Sequence, residues 1–215
     1  MKNVYILGTI HGTHEINQNY GFYHILEEVK RYKPDLLCVE IRAQDMAEAN
    51  SYLRTFYPPE MVLLKEEYEN RIPVYGFDWR GKAMENLRIG ESAAGLPDIF
   101  SLMQKDIHVK ELILQRKARM KPFFETCTLK SCQLEYSSYY SKIQFLEEQL
   151  EEYLKLHDFQ ELVNFNAERE RRIQHNIKRL IENYPAERIM IVTGISHKEK
   201  IEDFLAGYYF PEMPI

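Results

Sequence analysis

The sequence predicts an α/β fold: a parallel or mostly parallel sheet flanked by helices, with a long helical insertion before the last strand. Three observations carry this. Over the first 80 residues, short apolar runs alternate with stretches of helical periodicity, the order β-α-β-α-β. The runs are continuous rather than alternating, as in strands covered on both faces. From Leu96 to Thr193 there is no glycine, and from Phe123 to Tyr184 no proline, so long helices can form there.

Taken in order, the first strand is NVYILG at 3–8, followed by helical spacing over 19–32, where Phe22, Ile25, Leu26 and Val29 share a face and Pro34 ends the run. DLLCVE at 35–40 is the second strand. Residues 45–70 are rich in Glu, Leu, Met and Ala, broken at Pro58-Pro59. IPVYGF at 72–77 reads as a weaker strand. The insertion covers 91–184, with three or more helices over 98–184. Ile143, Leu146, Leu150, Tyr153 and His157 recur at spacings of three and four, as do Ile173, Ile177 and Leu180. RIMIVTG at 188–194 is the last strand, with a helix from Lys198 to Leu205. The tail GYYFPEMPI is expected to pack on the body. All 215 residues are expected to form a single α/β domain.

A hydrophobic content of 45% and a charged content of 28% are ordinary for a globular chain. The net charge of −5 argues against nucleic acid or an anionic membrane as a general partner. One basic run, RKARMK at 116–121 followed by Phe123 and Phe124, reads either as a solvated helix end or as a phosphate-and-base contact. Cys38, Cys127 and Cys132 make no disulfide framework and no paired zinc motif. The first residues lack a signal-like apolar segment, and no run approaches the ~20 apolar residues that span a bilayer. The expectation is a cytoplasmic protein without a membrane partner. Homo-oligomer contact through the helical insertion is an open possibility.

Polar residues gather just beyond the predicted strands. His11, His14 and Glu15 follow the first, Glu40 and Arg42 close the second, Asp78 and Arg80 the weaker one, and His197 follows the last. In an open parallel sheet these loops share one edge, so one topological assumption brings His11, Glu40, Asp78 and His197 together. Gly8 to His11 and Gly194 to His197 form matching Gly-x-x-His turns. Two imidazoles with one or two carboxylates suit zinc or another divalent ion such as manganese or cobalt, with water in an open position. The bland reading makes His14 and Glu15 ordinary turn residues, His197 a helix-start residue and Glu40–Arg42 a structural ion pair. No G-x-S-x-G elbow and no glycine-rich nucleotide loop is present.

These segments resemble the TraB/TIKI-like superfamily, which also takes in erythromycin-esterase-like and ChaN-like proteins. YILGTIHGTHE and IVTGISHKEKIEDFL are similar to its two Gly-x-x-His motifs. PDLLCVEIR resembles its strand ending in Glu, with Arg42 one residue early. VYGFDWRG resembles its Asp-Arg segment with Trp79 inserted, and AERERRIQHNI its Glu-Arg helix. The resemblance implies His11, Glu40 and His197 as the site core, with Asp78 at a strand end and Glu168 and Arg169 facing the cleft. The activities it implies are divalent-metal-dependent peptide cleavage, metal-free ester hydrolysis with a histidine base, and haem binding.

The leading expectation is therefore a hydrolase acting on a small-molecule or peptide substrate. His11 and His197 would hold a divalent metal, helped by Glu40 or Asp78, and the remaining carboxylate, or Glu168, would act as base. Arg42 or Arg169 would stabilise the oxyanion. His14 and Glu15 would stand behind the ligands or on the cleft rim. The alternatives are a metal-free hydrolase with His11 as base and Glu40 orienting it, and a non-enzymatic module binding a ligand, haem or a protein.

Overall fold

In the computed structural model, residues 2–85, 102–103 and 105–207 are described. Four strands, β1 (Asn3–Thr9), β2 (Leu36–Arg42), β3 (Val74–Asp78) and β4 (Arg188–Gly194), form one parallel sheet in the order β1-β4-β2-β3. Every pairing is parallel, and the register sets Thr9 opposite Gly194, Val39 opposite Val192 and Arg42 opposite Asp78.

The continuous apolar runs have the expected cause. Within β1, Val4 and Ile6 enter one core cluster while Tyr5 and Leu7 enter another, so both faces are dry. On one face lie α1 (Phe22–Tyr32) and, beyond β2, α3 (Pro59–Tyr68), which a one-turn α2 (Asn50–Leu53) precedes. The Pro58-Pro59 break is the start of α3, with Pro59 in its first turn, where a missing N–H costs nothing. α1 ends at Lys33 in the left-handed region, one residue before Pro34.

The insertion holds α4 (Ile107–Thr126), α5 (Leu129–Tyr140), α6 (Gln144–Leu156) and α7 (Gln160–Asn183). Asp106 caps α4 through the Val109 amide at 3.0 Å, and Thr128 caps α5 through the Ser131 amide at 3.1 Å. α7 returns across the opposite face of the sheet, burying Ile173, Ile177 and Ile181 against Val4, Cys38 and Ile191. The last helix, α8 (Ile195–Phe204), packs Ile201 and Leu205 on that same face. It begins directly after Gly194, three residues earlier than the sequence suggests, so His197 lies in a helical turn. The parts of the insertion at 91–101 and the tail at 208–215 lie outside the described residues.

This order creates the site. The chain leaves β1 toward the α1 face but leaves β4, its neighbour, toward the α8 face. The connections diverge at the carboxyl ends of β1 and β4, the switch point where open parallel sheets form a crevice. β1 is an edge strand, and α5 covers its end. Gln133 accepts from the Gly8 amide at 2.8 Å and donates at 2.7 Å to the Gly8 carbonyl, which also accepts the Tyr20 hydroxyl at 2.6 Å, so the edge is paired there by side chains. Among the described residues no helix is long and apolar enough to cross a membrane.

Candidate functional site

His11 opens the crevice from β1. Its backbone is left-handed, with φ 47°, a conformation a non-glycine residue adopts only where its surroundings enforce it. Gly194 makes room on the facing strand: a Cβ there would lie 2.4 Å from His11 Nε2. The two Gly-x-x-His segments are thus unlike in backbone. His11 sits in a tight 3-10 turn, whereas His197 sits on α8.

The partner of His11 is Glu60, from the first turn of α3. Its Oε1 lies 2.8 Å from Nδ1 and also accepts the Thr9 hydroxyl at 2.9 Å. The Glu60 side chain is fully buried, and its Oε2 has no partner among the described residues. Burial alone would pull the His11 pKa down. The Glu60 hydrogen bond and charge, helped by Glu40, outweigh it, and the net direction is upward from 6.5.

Glu40 forms the other half. Its Oε2 accepts from the Thr193 hydroxyl and the Gly194 amide, each at 2.8 Å, and its Oε1 accepts from Arg169 at 3.0 Å. Burial favours the neutral acid here. The opposing charges of His197, His11 and Arg169 and the Gly194 N–H prevail and bring its pKa down to about 2. His197 Nε2 is 3.7 Å from Glu40 Oε1, while its Nδ1 meets Glu170 at 2.9 Å. Arg169 bridges to Asp78 Oδ1 at 2.9 Å, and Asp78 Oδ2 takes Arg80 at 2.8 Å.

Glu40, His197, Arg169 and Asp78 therefore form one linked group, which His11 joins through its charge on Glu40 rather than through a direct contact. The remaining candidates lie elsewhere. Glu168 is turned to the outer side of α7 and pairs with Arg171 and Arg172, each at 2.7 Å. This contrasts with the cleft-facing position the resemblance implies, and it follows from helical phase, since Ile173 and Ile177 face the sheet. Arg42 is wholly buried but reaches Asp45 and the Met84 carbonyl, 2.8 Å away, rather than Glu40. Tyr57 joins it through its hydroxyl on Asp45. His14 is buried away from the rim, where Nε2 accepts the Ile10 amide at 2.9 Å and Nδ1 meets the Tyr20 carbonyl. It shapes the turn that carries His11. Glu15 is exposed.

The four predicted ligands do not close on one point. Asp78 is drawn to Arg169 and Arg80, and Arg169 stands against the Glu40 oxygen that faces His197. Among the described residues, no group of three or more His, Cys, Asp or Glu side chains is placed to hold a metal ion. Glu60 and Glu170 are the site residues that sequence reasoning missed. Glu170 had a usable signal, because it shares the sheet-facing side of α7 with Ile173.

Beside His11 opens a cleft of about 420 Å³ between the β1 and β4 loops and α4, with Thr9, Ile195 and Ser196 at its inner end. The phosphate-and-base reading of the basic run does not extend to Phe123, which is buried in the core. No family model matches the chain, and neither the curated proteins nor the solved structures contain a match.

Proposed function

We propose that the chain is a metal-free hydrolase of carboxylic esters, with His11 as general base and Glu60, rather than Glu40, orienting it. The Glu60–His11 pair carries this reading. Glu60 accepts from Nδ1–H, which fixes the neutral tautomer and leaves the Nε2 lone pair free, since no protein donor reaches it among the described residues. The raised pKa makes the imidazole a stronger base near neutrality.

In this reading Nε2 takes a proton from water as its oxygen bonds to the ester carbonyl carbon. The tetrahedral intermediate collapses, the ester C–O bond breaks, and the proton passes to the leaving alcohol. The negative oxygen forms next to the first turn of α8. The leading N–H groups of a helix have no intrahelical acceptor, and α8 has no side-chain cap. Ile195 and Ser196 from that turn line the cleft. Arg169 ties Glu40 and Asp78 together and holds the ends of β2 and β3 against the middle of α7.

One observation favours the metal-dependent rival. Both imidazoles have Nδ1 held by a carboxylate, Glu60 or Glu170, an arrangement common behind metal-bound histidines. In that rival His11, His197 and Glu40 would hold the ion.

Turnover of p-nitrophenyl hexanoate by untagged protein, with and without chelator, separates the two. The metal-free reading expects activity that survives chelator and falls at least a hundredfold in His11→Ala. The acid limb of its pH profile should lie above 6.5 and move lower in Glu60→Gln. Activity indifferent to His11→Ala sinks it. Stoichiometric metal, lost in both His11→Ala and His197→Ala, would establish the rival.

A further inference from the structure

The basic run at 116–121 has no part in the chemistry above, yet the fold carries it to the mouth of the same cleft. Arg116, Lys117, Met120, Lys121 and Phe124 all line it from one side of α4, at helical spacings of one and four. Met120 is buried and Phe124 half-buried, so they form an apolar wall, which Ile195 continues toward His11. Lys117 and Lys121 are exposed above that wall, about 6 Å apart along the axis.

The charges are unevenly committed. Arg116 is paired with Glu147 from α6, and Lys121 stands 3.6 Å from Glu125. Lys117 has no ion-pair partner among the described residues. Glu125 is the single carboxylate among the described residues lining the cleft, against three cations. With Arg116 answered by Glu147 and Lys121 by Glu125, Lys117 leaves one positive charge in surplus at the cleft mouth, in a chain of net charge −5, and it attracts and orients an anion. The cleft volume of about 420 Å³ matches a small molecule.

We infer that the cleft selects an amphiphilic monoanion: a small ester whose apolar chain lies on Met120 and Phe124 and ends in a carboxylate held by Lys117, with Lys121 beside it. The ester bond is then presented to His11, and water divides between the acyl carbon and the departing alcohol as above. The ester part of this inference rests on the hydrolase reading; the anion-binding part does not.

Two measurements on the full chain test it. Calorimetric titration compares octanoate with 1-octanol, which shares the chain length but lacks the charge. Octanoate should bind one per chain and about tenfold tighter, as expected of one charge-assisted contact at a partly exposed site. That preference should vanish in Lys117→Glu and shrink in 0.5 M NaCl, while Lys178→Glu, on the exposed side of α7, keeps it. Kinetics compares p-nitrophenyl hexanoate with p-nitrophenyl hydrogen adipate. The kcat/KM ratio should favour the adipate about tenfold, and Lys117→Glu should abolish that ratio. Equal affinity for octanoate and octanol, or a preference untouched by Lys117→Glu, overturns the inference. Octanoate preference without turnover of either ester would uphold the anion site and refute the hydrolase. Equal turnover of both esters through His11, without octanoate preference, would do the reverse.

Discussion

Gly194→Ala is the sharpest probe of how His11 is held. At Gly194 φ is −56° and ψ 139°, which alanine adopts without strain, so the effect is purely steric. The new methyl would lie 2.4 Å from Nε2 and 2.9 Å from Cε1 of His11. Restoring van der Waals contact requires the ring to retreat by roughly 1 Å. The backbone cannot easily yield instead, because the Gly194 amide donates to buried Glu40 at 2.8 Å. A ring displaced by about 1 Å no longer keeps the 2.8 Å alignment of Nδ1 with Glu60. A hydrogen bond to a charged group contributes about 1.5–3 kcal/mol. Because the imidazole is 39% exposed, the lower end applies, about 1.5–2 kcal/mol. For a chain of this length that is a fall of about 5 °C in Tm. Urea unfolding reads the free energy, and an NMR titration reads the His11 pKa, which should drop as Glu60 is lost. Gly207→Ala, with nothing within 4 Å of its added methyl, is the control. A Gly194→Ala protein with wild-type stability and an unmoved His11 pKa would show that Glu60 and Gly194 do not clamp the ring.

Two further expectations concern the charged group behind it. Arg169→Ala removes a guanidinium shared by two buried carboxylates and should destabilise by about 3–5 kcal/mol, whereas Glu168→Ala, one residue earlier, should leave the Tm unchanged; equal effects in thermal melts would contradict the helical phase of α7. Glu40 has its pKa lowered from 4.5 to about 2, so its contribution is complete above about pH 4.5 and is lost as pH falls toward 2. At about 1.4 kcal/mol per pH unit this amounts to about 3 kcal/mol, and urea unfolding of Glu40→Gln should show a correspondingly flatter loss of stability over that window.

Much of the frame was legible in the chain. Parallel strands buried on both faces must be apolar throughout, so NVYILG, DLLCVE and RIMIVTG announce themselves, and even the weaker IPVYGF overlaps β3. That His11, Glu40 and His197 stand along one edge of the sheet was legible too, because the carboxyl ends of parallel strands share an edge. Helical phase was available and would have corrected one choice. Taking Ile173 as the centre of the buried face, Arg169 lies about 40° away and Glu170 about 60°, but Glu168 about 140°.

The rest required three dimensions. That β4, last in sequence, inserts between β1 and β2 depends on which face each crossover takes, and no local pattern records it. The insertion sets Gly194 beside His11 and aims α8 at the crevice. Glu60 looks like an unremarkable first-turn residue after two prolines. It becomes the partner of His11 only because α3 packs against β2 and the turn that carries His11, 49 residues away in the chain. Arg42 and Arg169 were equivalent candidates by composition, and the bulge in β2 after Val39 together with Asp45 decided which of them meets Glu40. Periodicity and strand ends thus determine the elements and one edge of the sheet. The pairings across that edge arise from packing between distant segments, where each buried charge settles against whichever partner the fold brings within reach.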